Sequence, residues 1–112
     1  MNGAGCRRKG ISYEREVAHL LSEVFGPENS RRGIQYRSGT EVADVEVPAF
    51  WVEVKRGRRT NIRAALAQAE EACHEPKWLL AVCKDDHQRA VAAMYLDDFL
   101  DLVREWWSTR QR

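Results

Sequence analysis

Asp44, Glu53, Val54 and Lys55 are the residues of this 112-residue chain whose types and spacing carry the most chemistry. An acid, a second acid nine positions on and a lysine two beyond that suit a metal-dependent phosphodiester-cleaving site. Two carboxylates converging on one face repel unless a cation lies between them, and hard oxygen donors with open positions suit Mg2+ better than zinc. Lys55 then holds an attacking water or a phosphate oxygen. The Glu-Val-Lys triplet alone is also what a solvated strand face with a cross-strand ion pair looks like, so its context decides between the two.

The elements that must position these residues are legible from their alternation. Phe50 to Lys55 reads as a strand with Phe50, Val52 and Val54 on one face and Trp51, Glu53 and Lys55 on the other. Val42 to Val47 alternates too, and Pro48-Ala49 is a short break after which the chain returns antiparallel. That pairing predicts Asp44 beside Glu53.

One compact domain fits in 112 residues, with 44% hydrophobic and 31% charged residues excluding disorder. No apolar run approaches a membrane span and no apolar signal segment opens the chain. The net charge of +1 hides a segregation, because residues 1–63 carry 12 Lys/Arg against 8 Asp/Glu and residues 64–112 carry 6 against 9. The basic half holds the candidate site, as expected of a surface that meets phosphates. Cys6, Cys73 and Cys83 lack Cys-x-x-Cys spacing, which favours a reducing, cytoplasmic setting over a disulfide framework. With His74 and His87 they fit no common zinc pattern.

Residues 1–10, glycine-rich and then basic through Arg7-Arg8-Lys9, read as a flexible basic arm ahead of a single domain over 11–112. A helix over 12–25 carries the stripe Val17, Leu20, Leu21, Val24 and Phe25, with Glu14 close to it. Ile34 to Arg37 reads as a strand, and Ser38-Gly39-Thr40 as a turn able to bind an anion. Arg56-Gly57-Arg58-Arg59 is a basic loop running off the site strand, and Thr60 or Asn61 caps a helix extending to about His74. Trp78 to Cys83 reads as a buried strand, Ala90 to Tyr95 as another, and Leu96-Asp97-Asp98 opens a helix with Phe99, Leu100, Val103 and Trp106 or Trp107 on its apolar side. The expectation is an α/β fold: a mixed five-stranded sheet with flanking helices in the order αβββαββα.

Arg8-Lys9-Gly10, Glu14-Arg15-Glu16, Arg37-Ser38-Gly39, Asp44 and Glu53-Val54-Lys55, in that order, resemble the archaeal-type Holliday junction resolvases of the PD-(D/E)xK nuclease superfamily. The motifs cover residues 7–58, and element order alone covers the rest. The resemblance implies a restriction-endonuclease-like fold and a homodimeric endonuclease that nicks opposing strands of four-way, branched DNA with Mg2+, for which Mn2+ substitutes. It implies Glu14, Asp44, Glu53 and Lys55 as catalytic residues, and Asp44, Glu53, Glu14 and Val54 as metal ligands. Arg7, Arg8, Lys9, Arg15, Arg37, Ser38, Thr40, Arg56, Arg58 and Arg59 are the implied DNA contacts. Ala43 departs from the superfamily's name-giving proline, the Asp44 to Glu53 connection is short, and Glu46 is an extra acid that replaces or supplements a ligand. Gln68 reads as an exposed polar residue or a phosphate or water contact.

The expected reaction is in-line hydrolysis of a phosphodiester. Recombination, repair and debranching of phage DNA in a host cell are all compatible settings. A superfamily nuclease with another substrate, of repair or restriction type, uses the same chemistry. A non-catalytic nucleic-acid-binding module is the remaining alternative.

Overall fold

The structure, a computed structural model, describes residues 3–34 and 41–111, with side chains from residue 8 onward. Helix α1 (Gly3–Phe25) ends where Gly26 turns the chain into a short 3-10 turn, Pro27–Asn29, and strand β1 (Arg31–Arg32). Strands β2 (Val45–Glu46) and β3 (Phe50–Gly57) form a hairpin. Helix α2 (Ile62–Ala72) crosses over to β4 (Trp78–Asp85), which runs parallel to β3. Strand β5 (Val91–Ala93) and helix α3 (Leu96–Arg110) complete the chain. The described residues thus form a five-stranded mixed sheet, ordered β1-β2-β3-β4-β5, with three α-helices: the expected order αβββαββα.

Alternation along β3 feeds two packing layers. Val52 and Val54 join Val45 and Val47 beneath Tyr13, Val17 and Ala18 of α1, while Trp51 turns to the other face with Ala43 and Ala69 of α2. Ala65 and Leu66 of α2 pack on Ala81 and Cys83 of β4. Small residues on α2 let its backbone approach the sheet, and its start is fixed by Asn61, whose side chain accepts the Ala64 N–H at 2.9 Å.

Two expectations are corrected. First, the segment expected to be a flexible arm is helical from Gly3. Once residues 13–25 are helical, each earlier residue joins at propagation cost alone, and the glycines weaken this by only about 1 kcal/mol each. Second, the buried stripe of α1 is Tyr13, Val17, Ala18, Leu21 and Phe25, whereas Leu20 and Val24 are exposed. The helix is rotated toward Glu14, which brings that acid inward. The strand expected over 34–37 falls, apart from Ile34, outside the described residues, and Arg31–Arg32 forms a strand paired with β2 that was not expected. Ile34 is exposed outside any strand. The helix α2 and strand β5 are also shorter than expected, because Ala72 ends the former and Val91–Ala93 is all that pairs with β4.

Gly33 holds β1 in place. Its N–H donates to the Asp44 carbonyl at 2.8 Å, and a β-carbon at this position would lie 1.8 Å from the Ala43 carbonyl oxygen. Only glycine admits this close approach, which seals β1 onto the segment carrying Asp44.

Candidate active site

The hairpin register brings the two acids together. Val45 lies opposite Val52 and Glu46 opposite Trp51, and Asp44, one residue before β2, is hydrogen-bonded to the β3 residues on either side of Glu53. The short connection is possible because Ala49 adopts φ 70°, a left-handed conformation costing a non-glycine residue roughly 1–2 kcal/mol, and its carbonyl is secured by the Trp78 N–H at 2.9 Å. The side chain of Asp44 enters the ladder itself: Oδ2 accepts the Val54 N–H at 2.9 Å, while the Asp44 N–H donates to the Val52 carbonyl at 3.0 Å. A carboxylate held by a backbone donor has little freedom to rotate.

Glu53 is 2% exposed and Asp44 8%, which is an expensive place for two acids. Glu53 Oε1 accepts the Trp51 indole N–H at 3.1 Å, and Oε2 is buried with no hydrogen-bond partner. Burial first, then the charge of Asp44 and the close approach of its carboxyl group, push the Glu53 carboxyl up to about 8 against the lowering effects of Trp51 and Lys55. Lys55, two residues on along the same face, donates to Gln68 Oε1 of α2 at 2.7 Å. Gln68 therefore orients the lysine.

Glu14 comes from α1 and is half-buried. Arg32 Nη1 lies 3.3 Å from its Oε1, and burial, then the charge of Asp44, raise its pKa while Arg32 and Lys55 lower it. The fold therefore brings Glu14 within electrostatic reach of Asp44 and Lys55, but its carboxylate is turned to Arg32. Among the described residues no three His, Cys, Asp or Glu side chains gather as a ready-made metal cage. Glu46 shares the face of Asp44 and is tied to Arg31 across the strands at 3.2 Å, which sets it apart from the Asp44–Glu53 pair.

The donor set nevertheless fits a hard divalent cation. Two opposed carboxylates, one with an orphaned buried oxygen and a strongly raised pKa, lack positive charge, and a cation coordinated by oxygens supplies it. Val54, whose N–H holds Asp44, carries the carbonyl at the remaining expected ligand position.

The expected DNA contacts divide. Arg58 and Arg59 are exposed beyond the end of β3, and Arg8 and Arg15 are exposed on α1. Lys9 and Arg56 are instead committed to Asp86, at 3.1 and 2.5 Å, clamping α1 and β3 to the turn after β4. Arg37, Ser38 and Thr40 lie outside the described residues, as does the side chain of Arg7. Sequence reasoning missed Arg32 as the partner of Glu14 and Trp51 as the donor to Glu53. The second was legible in the shared face of positions 51 and 53, whereas the first needs the tertiary approach of β1 to α1. Compared with protein-family models, curated proteins and solved structures, the chain gives no match.

Chemically, the arrangement combines a rigid carboxylate pair, an oriented ammonium and nearby free guanidinium groups. It can hold a cation, place a phosphate oxygen against Lys55 and neutralise charge gained by a phosphorus centre. Among the described residues no helix is long and apolar enough to cross a membrane.

Proposed function

We propose that this protein is a Mg2+-dependent endodeoxyribonuclease of the restriction-endonuclease-like fold, resolving four-way DNA junctions as a homodimer. The observation that carries the nuclease reading is the buried pair of Asp44, just before β2, and Glu53 on β3, with Glu53 Oε2 lacking a hydrogen-bond partner among the described residues and Lys55 two residues beyond Glu53. Such a pair is costly to folding, and a metal site gives it a use.

Asp44 and Glu53 would hold the ion, with the Val54 carbonyl as a further donor, and Glu14 would join them on release from Arg32. When bound, Mg2+ supplies a Lewis acid and lowers the pKa of a coordinated water. Asp44 is held against β3 by the Val54 N–H, which donates to its Oδ2. Trp51 holds Glu53 Oε1, while Oε2 has no hydrogen-bond partner among the described residues. Lys55, braced by Gln68, binds the non-bridging phosphate oxygen and orients the attacking water. Arg58 and Arg59 anchor flanking phosphates.

Junction selectivity and dimerisation rest on the resemblance and on α3. No residue of α3 is buried in the single chain, and Leu96, Phe99, Leu100, Trp106 and Trp107 are exposed, the two tryptophans by 52% and 55%. An apolar stripe of this size is the signature of a protein interface, and paired incisions require two sites related by a two-fold axis. Cleavage of four-way junction, duplex, flap and single strand compared side by side in Mg2+ tests the reading. Preferential paired nicking of the junction is expected. Equal cleavage of all forms would shift the assignment to a repair or restriction-type nuclease, and no cleavage with Mg2+ or Mn2+ would reduce it to a binding module.

A further inference from the structure

Beside the carboxylate pair lies an open notch of about 490 Å3 lined by Arg58, Arg59, Thr60, Cys83, Asp85 and Arg89, among others. Its floor adjoins the site: Cys83 of β4 is the direct register partner of Lys55 on β3, one strand spacing of about 4.8 Å away. Both face the α2 side of the sheet, the side of Glu53.

Positive charge in the notch exceeds negative, with three arginines against Asp85, which Arg59 faces electrostatically, and Asp86. The acids at its edge are already engaged, since Asp85 Oδ1 accepts both the N–H and the hydroxyl of Thr60, at 2.8 and 2.5 Å, and Asp86 is held by Lys9 and Arg56. Arg58, Arg59 and Arg89 form no ion pair among the described residues. Three guanidinium groups from two separate loops, the one after β3 and the one after β4, thus converge on one concavity. Guanidinium forks match phosphate oxygens geometrically, and a concave arrangement presents them to one ligand.

We propose that this notch seats a backbone phosphate of the nucleic-acid strand next to the phosphate being cleaved, with Arg59 and Arg89 as its principal donors. The chain of contacts then runs from Asp44 and Glu53 across Lys55 and over β4 to the turn carrying Arg89. Arg89, in the acidic half of the sequence, becomes a DNA contact that the basic half does not announce. The inference rests on the nuclease reading.

The test is the salt dependence of four-way-junction binding in EDTA, where no strand is cut. The Arg59→Ala/Arg89→Ala variant is compared with wild type and with Lys77→Ala/Arg104→Ala, which removes two ion-paired charges away from the notch, one half-buried and one exposed. Loss of one seated phosphate lowers the slope of log K against log salt by about 1, with affinity falling on the order of tenfold, while the comparison variant keeps the wild-type slope. An unchanged slope with binding retained, or an equal drop in the comparison variant, overturns the notch and leaves the nuclease reading standing. Absence of any DNA binding by wild type overturns both. Unchanged melting temperatures of the variants establish that folding is intact.

Discussion

The indole N–H of Trp51 donates to Glu53 Oε1 at 3.1 Å, across two residues of the same strand face. A tryptophan packed under Ala69 of α2 thereby fixes one oxygen of a buried acid, while the other is buried with no hydrogen-bond partner among the described residues. Packing and chemistry meet in this bond, because the same ring that fills the core beneath α2 sets the orientation of the candidate ligand.

Trp51→Phe keeps most of the packing and removes the donor. Groups that orient metal ligands are typically worth 10–100-fold in affinity, and a fall of that size in Mg2+ binding is expected from calorimetric titration. Unchanged affinity would mean that Glu53 is positioned by its backbone alone.

Glu53 links stability to pH. Its folded-state pKa of about 8 lies above the ordinary 4.5, so the folded protein retains the proton more tightly than the unfolded chain. The associated stability is fully present below about 4.5 and is lost as pH rises through about 8. Thermal melts of the metal-free protein should therefore fall over that window, at about 4–8 °C per kcal/mol. Glu53→Gln, neutral throughout, should flatten the dependence, and Mg2+ should restore the wild-type melting temperature at the alkaline end. A pH-independent melt of wild type over this range would contradict the buried-acid account.

Gly33→Ala places a β-carbon 1.8 Å from the Ala43 carbonyl oxygen. Backbone must shift to admit it, at a cost of about 1–3 kcal/mol in chemical denaturation, and the shift falls on the segment holding Asp44. Metal affinity should drop along with stability.

Helix α3 should lose its partner when its apolar stripe is removed. Phe99→Ser together with Trp107→Ser should convert a dimer to monomers in sedimentation equilibrium, with the fold retained by circular dichroism, since neither residue is buried in the single chain. A wild-type protein that is monomeric at micromolar concentration would count against paired incision.

Much of the site was legible because strand alternation is a strict rule. The period of two placed Glu53 and Lys55 on one face, and the return after Pro48-Ala49 brings Asp44 against β3, where it bonds Val52 and Val54 on either side of Glu53. Helix rotation was less legible: Val17, Leu20, Leu21 and Val24 are all apolar, and only the location of the sheet decides that Leu20 and Val24 face out while Glu14 turns in. Composition could not separate free from committed cations either. Lys9 and Arg56 look like DNA contacts in sequence, yet Asp86, thirty or more residues away, holds both. The Arg31–Arg32 strand was not legible, because what holds it is the close backbone approach at Gly33 to the Ala43–Asp44 segment.

The most direct measurement is cleavage of a four-way junction in Mg2+ by wild type and Asp44→Asn. Asparagine preserves the oxygen that accepts the Val54 N–H and removes the charge, so the fold and junction affinity are retained while one ligand is weakened. The account predicts paired nicking by wild type and a loss of at least about 100-fold in the variant, with junction binding intact. Cleavage by Asp44→Asn at the wild-type rate would contradict it.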